Sequence, residues 1–173
     1  MSKIKKVLIA AAAGVAVLGV STAAAAVITT ATGTVTERQT FGRNDVAQVI
    51  TSAAFVDVAG GAVNVRIPAG TRRMLDARYT AETLCSGPGG WCSARILVTR
   101  TVPAGATTEL LPASGADFAL DSPGGNWQGH ALERTSNYLG AGLYRVHVQA
   151  AVVAGATSLR LDDTHLAVEV IRP

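Results

Sequence analysis

Lysine does not occur in this chain after residue 6. Lys3, Lys5 and Lys6 carry the whole formal charge of +3, and the twelve arginines are matched by twelve acidic residues. A protein that neutralises phosphates needs a basic stripe or patch, so nucleic acid is excluded as an expected partner. Cysteine occurs twice and histidine three times. Two thiols cannot complete a zinc clip, their spacing is not the C-x-x-C of redox motifs, and neither H-x-H nor H-E-x-x-H occurs. A D-x-D-x-D-G calcium loop and a G-x-S-x-G nucleophile elbow are also missing. No metal and no cofactor are therefore expected. Aromatic residues make up 5% of the chain, so each large ring is wanted for packing. After residue 27 no segment has helical periodicity, and no long repeat recurs.

What is present begins with a targeting layout. A basic start, an apolar run from Val7 to Val20 and an Ala-x-Ala site ending at Ala26 read as a secretory signal peptide over residues 1–26. The alternative is a retained anchor, since Val7 to Val27 is nearly long enough to span a bilayer. Cleavage predicts a secreted, extracellular product, cell-surface association being the finer reading, with no stable membrane insertion. Residues 27–45, rich in threonine and poor in large apolar side chains, read as a flexible lead, with a first edge strand around 32–37 as the alternative.

From there the period is two. Val63, Val65 and Ile67 share a face, as do Tyr144, Val146, Val148, Ala150 and Val152, and as do Leu166, Val168 and Val170. Gly/Pro breakers separate the runs: VAGGA from Val58, IPAG from Ile67, VPAGA from Val102, SPGGN from Ser122 and LGAG from Leu139. This pattern predicts an all-β domain over residues 46–173, a single antiparallel β-sandwich or jelly roll of about eight strands. The strands fall near 47–58, 62–67, 72–85, 91–100, 116–121, 129–136, 143–153 and 158–171, the last read as a hairpin. In that hairpin Asp162 and Asp163 form the turn, and Leu159 faces Leu166.

The two cysteines bracket CSGPGGWC, Cys85 to Cys92. Alternation places Cys85 with Leu75, Ala77, Tyr79 and Ala81, and Cys92 with Ala94, Ile96 and Val98, so both thiols point inward. An antiparallel hairpin with the cysteines opposed sets Ala81 against Ile96, Tyr79 against Val98 and Glu82 against Arg95, an opposite-charge pair. In an oxidising compartment a structural disulfide is the expected state, worth about 2–3 kcal/mol by loop closure. Trp91 is expected to cover it.

The words AETLCSGPGGWCSARILV (from Ala81), DFALDS (from Asp117), HALERTS (from His130), LGAGLYRVHVQ (from Leu139) and LRLDDTHLAVEVIRP (from Leu159) resemble a group of small secreted actinobacterial β-sandwich proteins of unknown function. The resemblance spans residues 50–173. It implies a single β-sandwich behind a signal peptide and carries over no functional residue. GAGLYRVHVQ also resembles a strand of jelly-roll and complement-globular-head-like domains.

Candidate sites follow from exposed chemistry. Trp127 lies in a glycine-rich loop with Asn126, Gln128 and His130 beside it; an indole there stacks on a sugar ring while the neighbours hydrogen-bond hydroxyls, the alternative being that Trp127 packs over the core. His147 and His165 are expected to be solvated, with zinc shared with Asp162 or Asp163 unsupported by spacing. A hydrolase would use Ser136 or Ser122 with His130 and Glu133 or Asp121. LPASG from Leu111 reads as an inter-strand turn. The expected function is that of a non-catalytic extracellular or cell-surface binding or structural module, with a cell-wall glycan or another protein as partner. The alternatives are a self-assembling jelly-roll head, a homo-oligomer using outward Leu84, Leu97 and Ile171, and an extracellular hydrolase.

Overall fold

The computed structural model describes residues 35–120 and 125–173. The expected signal peptide, residues 27–34, Asp121 and Ser122 lie outside the described residues. Nine strands follow in order: β1 (Val35–Asn44), β2 (Gln48–Ile50), β3 (Val56–Ile67), β4 (Met74–Ser86), β5 (Trp91–Val102), β6 (Thr107–Glu109), β7 (Gln128–Thr135), β8 (Gly142–Val153) and β9 (Ser158–Arg172). They form two antiparallel sheets. The first runs β1-β9-β4-β7, with β2 also on β9; the second runs β3-β8-β5-β6. With the short β2 set aside, this is the strand order of a jelly roll. Among the described residues no helix is long and apolar enough to cross a membrane.

The alternation read from sequence is the alternation of the core. Val63, Val65, Ile67, Leu75, Ala77, Tyr79, Ile96, Val98, Val146, Val148, Leu159, Leu161, Leu166 and Val168 interdigitate between the sheets. Each large apolar side chain contributes about 1.5–3 kcal/mol of burial against the entropy of ordering the chain.

Cys85 and Cys92 are bonded, with their Cα atoms 5.8 Å apart. The hairpin expected around them is not formed. β4 pairs with β9 and β7, whereas β5 pairs with β8 and β6, so the disulfide joins the two sheets rather than two neighbours in one sheet. Glu82 stands beside Asp162 and Gly129, and Arg95 beside Gln149. Inward-pointing thiols satisfy a hairpin and an arch between sheets equally, which is why parity could not separate them.

β9 corrects a second expectation. It is one strand of fifteen residues, not a hairpin. Glu82 pairs with Asp162 and Thr80 with His165, so Asp163 and Thr164 together oppose Ala81. This bulge, with Asp163 at φ 46°, switches the inward set from Leu159 and Leu161 to Leu166, Val168 and Val170. Thr164 is buried there and donates its hydroxyl to the carbonyl of Asn44 at 3.2 Å.

Three further expectations change. Residues 35–44, read as part of the flexible lead, form β1 against β9. Its inward positions opposite Val168 and Leu166 are Thr40 and Gly42, so no hydrophobic alternation announced it. The glycines at 60 and 61 do not end a strand; β3 passes through them with an irregularity between Asp57 and Ala62. Of the strand expected over 116–121, the described residues 116–120 make only an isolated bridge, Ala119 to Ser93.

Gly42 fixes how the edges of the two sheets meet. A Cβ on it would be driven into the carbonyl oxygen of Gly60, whose own φ is 69°. Gly42→Ala is therefore expected to destabilise the domain by about 1–3 kcal/mol through overpacking. Urea denaturation checks this, and an unchanged midpoint would contradict so close an approach of β1 to β3.

Candidate functional site

The outer face of the first sheet carries Trp127 at one corner. β7 begins immediately after this residue, with Gln128 paired to Thr83 of β4. Leu84 of β4 pairs in turn with Arg160 of β9. The Arg160 guanidinium carbon lies 5.5 Å from the Trp127 ring centroid, and the tryptophan remains 40% exposed. One step along, Glu82 is flanked by Gly129 and Asp162, so no side chain rises on the β7 side of its carboxylate. Asn126 and Gln128 are exposed.

His130 does not join them. It pairs with Ala81, an inward position, and its Nδ1 lies 2.8 Å from the hydroxyl of buried Thr83. Alternation along β7 thus puts Gln128 and His130, paired with inward Thr83 and Ala81, on the side of the strand away from Trp127, and Asn126 is left beside the indole only as its chain neighbour.

The hydrolase candidates are dispersed. Ser136 is buried and its hydroxyl accepts from the Leu75 amide at 2.8 Å. Glu133 faces outward in an exposed ion pair with Arg78 at 2.9 Å. Neither is a partner of His130. The histidines weighed for zinc, and set aside on spacing, are also parted: His147 is on the second sheet, and His165 stacks on Phe41 at 5.3 Å on the first. Among the described residues no group of three His, Cys, Asp or Glu side chains converges to hold a metal. Trp91 donates its indole N–H to the Ala116 carbonyl at 3.0 Å, on the face away from the sulfurs, so it does not cover the disulfide. Leu84 and Ile171 lie on the first sheet toward opposite ends of β4, and Leu97 is buried on the second; they make no common face. In LPASG, the Ser114 and Gly115 amides donate to the Glu109 carboxylate, and the segment connects β6 to β7.

The outer face of the second sheet holds a network that sequence reasoning missed. Asp57 of β3 accepts from Arg145 at 2.8 Å, His147 at 3.0 Å and Gln149 at 3.0 Å, all outward positions of β8. Arg95 donates to Gln149 and lies 4.1 Å from the Phe55 ring centroid. His147, expected to be solvated, is 5% exposed. Nδ1 is met both by the Asp57 carboxylate, which only accepts, and by the Arg145 guanidinium at 3.2 Å, which only donates, while Nε2 is buried with no hydrogen-bond partner among the described residues. Burial keeps the His147 pKa below its ordinary value against the pull of Asp57. Burial would raise Asp57, yet the bonds from Gln149, Arg145 and His147 prevail and bring it to about 2. The polar stripe on β8 was visible in sequence; its partner lies some ninety residues upstream, beyond any local signal.

No protein-family model matches this chain, and no curated protein matches it. A solved structure, the dimeric latent PorU from Porphyromonas gingivalis, is similar at 12% identity and a TM-score of 0.29. The match covers 81% of this chain but 14% of that one, and a likeness at this level carries no argument here.

The Asp57 network makes stability fall with acid in two stages. A neutral buried His147 contributes stability that is lost as pH drops below about 6.5, because the unfolded imidazole takes up a proton first. The depressed Asp57 contributes stability present above about 4 and lost as pH falls toward 2. Urea midpoints across this range are expected to decline in both windows, and Asp57→Asn to flatten the lower one. A midpoint constant from pH 7 to 3 would contradict the network.

Proposed function

We propose that this chain is an exported, non-catalytic binding module of the extracellular space or cell surface, and that it takes a cell-wall glycan on the outer face of the β1-β9-β4-β7 sheet at Trp127. The observation that carries the reading is the exposed indole backed by Arg160 and bordered by polar side chains. A sugar ring offers an apolar C–H face and a rim of hydroxyls. A flat aromatic receives the first, while Asn126, Glu82 and Arg160 offer donors and acceptors to the second. The guanidinium against the ring also holds the indole in place by cation–π attraction.

Export is supported by the signal-like N-terminus and by the disulfide, which persists in oxidising compartments. The separation of His130, Glu133 and Ser136 gives the hydrolase reading no support.

Pull-down on insoluble peptidoglycan and binding to immobilised glycans test the site. The parent chain is expected to bind, and Trp127→Ala to weaken binding by roughly tenfold or more while leaving the circular dichroism spectrum unchanged, since an exposed aromatic anchor is lost without a core residue. Undiminished retention of the alanine variant would overturn the reading.

A further inference from the structure

At the end of the sandwich away from the disulfide, the β3–β4 turn, the end of β5 and the start of β8 enclose a cleft of about 600 Å³. Its walls combine apolar Ile67, Val102, Pro103 and Leu143 with two arginines, Arg66 and Arg100, and no carboxylate lines it. This volume suits a small organic ligand.

The charge is unbalanced locally in a domain that is balanced as a whole. Arg73, Arg78, Arg145 and Arg172 each have a carboxylate partner. Arg66 and Arg100 are among the eight of twelve arginines with no ion-pair partner among the described residues, and they are the two of these that line the cleft. Arg66 is exposed, and only its main-chain carbonyl is used, by Arg38. Arg100 is held in place: one terminal nitrogen donates to the Ala141 carbonyl, the group lies over Tyr144, and Nε is buried without an acceptor. Val102, beside them, is 59% exposed. An unpaired cationic pair next to an open apolar wall complements one anion joined to one apolar chain.

We propose that this cleft binds a small carboxylate with an apolar chain, of the medium-chain fatty acid type: Arg66 and Arg100 take the carboxylate, and the chain lies along Val102, Pro103 and Leu143. The site is separate from Trp127 and does not depend on the glycan reading.

Titration of the ¹⁵N-labelled chain with octanoate, below its micelle threshold, tests the proposal by NMR. Saturable shifts are expected at the Gly142 and Leu143 amides. Arg66→Gln is expected to weaken binding roughly tenfold, the scale of one charge-assisted contact. Neutral 1-octanol and chainless acetate are each expected to bind at least that much more weakly. Arg100→Met serves as a second variant, and because its side chain is packed, exposed Arg66 carries the decision if that variant fails to fold. Shifts that do not saturate, equal affinity of the parent and Arg66→Gln, or equal binding of 1-octanol would overturn the assignment. So would binding of a peptide with an apolar C-terminal residue when octanoate does not bind.

Discussion

Two chain crossings at one end of the sandwich hold the two sheets to each other. β4 leaves the first sheet and enters the second as β5 through Gly87–Gly90; β8 leaves the second and enters the first as β9 through residues 154–157. Because β4 pairs with β9 and β5 with β8, the arches lie side by side. The Thr157 amide donates to the Ser86 carbonyl at 2.7 Å, and Gly90 packs so closely on Ala156 that a side chain there would collide with backbone. The Cys85–Cys92 bond closes the first arch, with Cys85 beside Leu159 and Cys92 beside Val152. Once these four strands are set, β1 and β7 extend the first sheet, and β3 and β6 the second.

The same arrangement distributes chemistry outward. With both inner faces largely apolar, most polar side chains of the long strands are sent to one of two outer faces, buried Thr83 and Thr164 being exceptions, and the two faces are used differently. On the second sheet the polar groups satisfy one another: Asp57 gathers Arg145, His147 and Gln149 into a network whose role is structural. On the first sheet Arg78 pairs with Glu133 and Gln39 donates to Glu169, while Gly129, Ala131 and Ala167 leave open ground between Trp127 at one corner and the Phe41–His165 pair toward β1. Self-satisfied polarity stabilises a fold; unsatisfied polarity beside an exposed ring is available to a ligand.

Sequence periodicity carried the inner faces well, because burial imposes a period of two whatever the connectivity. Val63, Val65, Ile67 and the alternating residues of β8 stand where alternation put them. Connectivity was the part it could not carry. Cys85 and Cys92 point inward in a hairpin or in an arch, and Leu159 with Leu166 share a face across a turn or across a bulge; only the choice of partner strand distinguishes the cases. β1 was read chiefly as a flexible lead, with an edge strand over 32–37 only as the alternative, because Thr40 and Gly42 on its inward side are small, and His147 was misplaced because a polar position on an outer face can still be covered. Of the Trp127 site, Asn126 was legible from adjacency; Gln128 and His130, equally near in sequence, turn to the other side of β7, and Arg160 arrives from a strand distant in sequence.

The central claim is that the bonded cysteines belong to strands of different sheets. Backbone nuclear Overhauser contacts in solution test it most directly. A disulfide between sheets requires cross-strand contacts from β4 to β9 (Tyr79 to Leu166, Cys85 to Leu159) and from β5 to β8 (Cys92 to Val152, Val98 to Val146), with no ladder of contacts between β4 and β5 beyond the arch that the cysteines close. A series of contacts joining Ala81 to Ile96 and Tyr79 to Val98 would place both cysteines in one hairpin and contradict it.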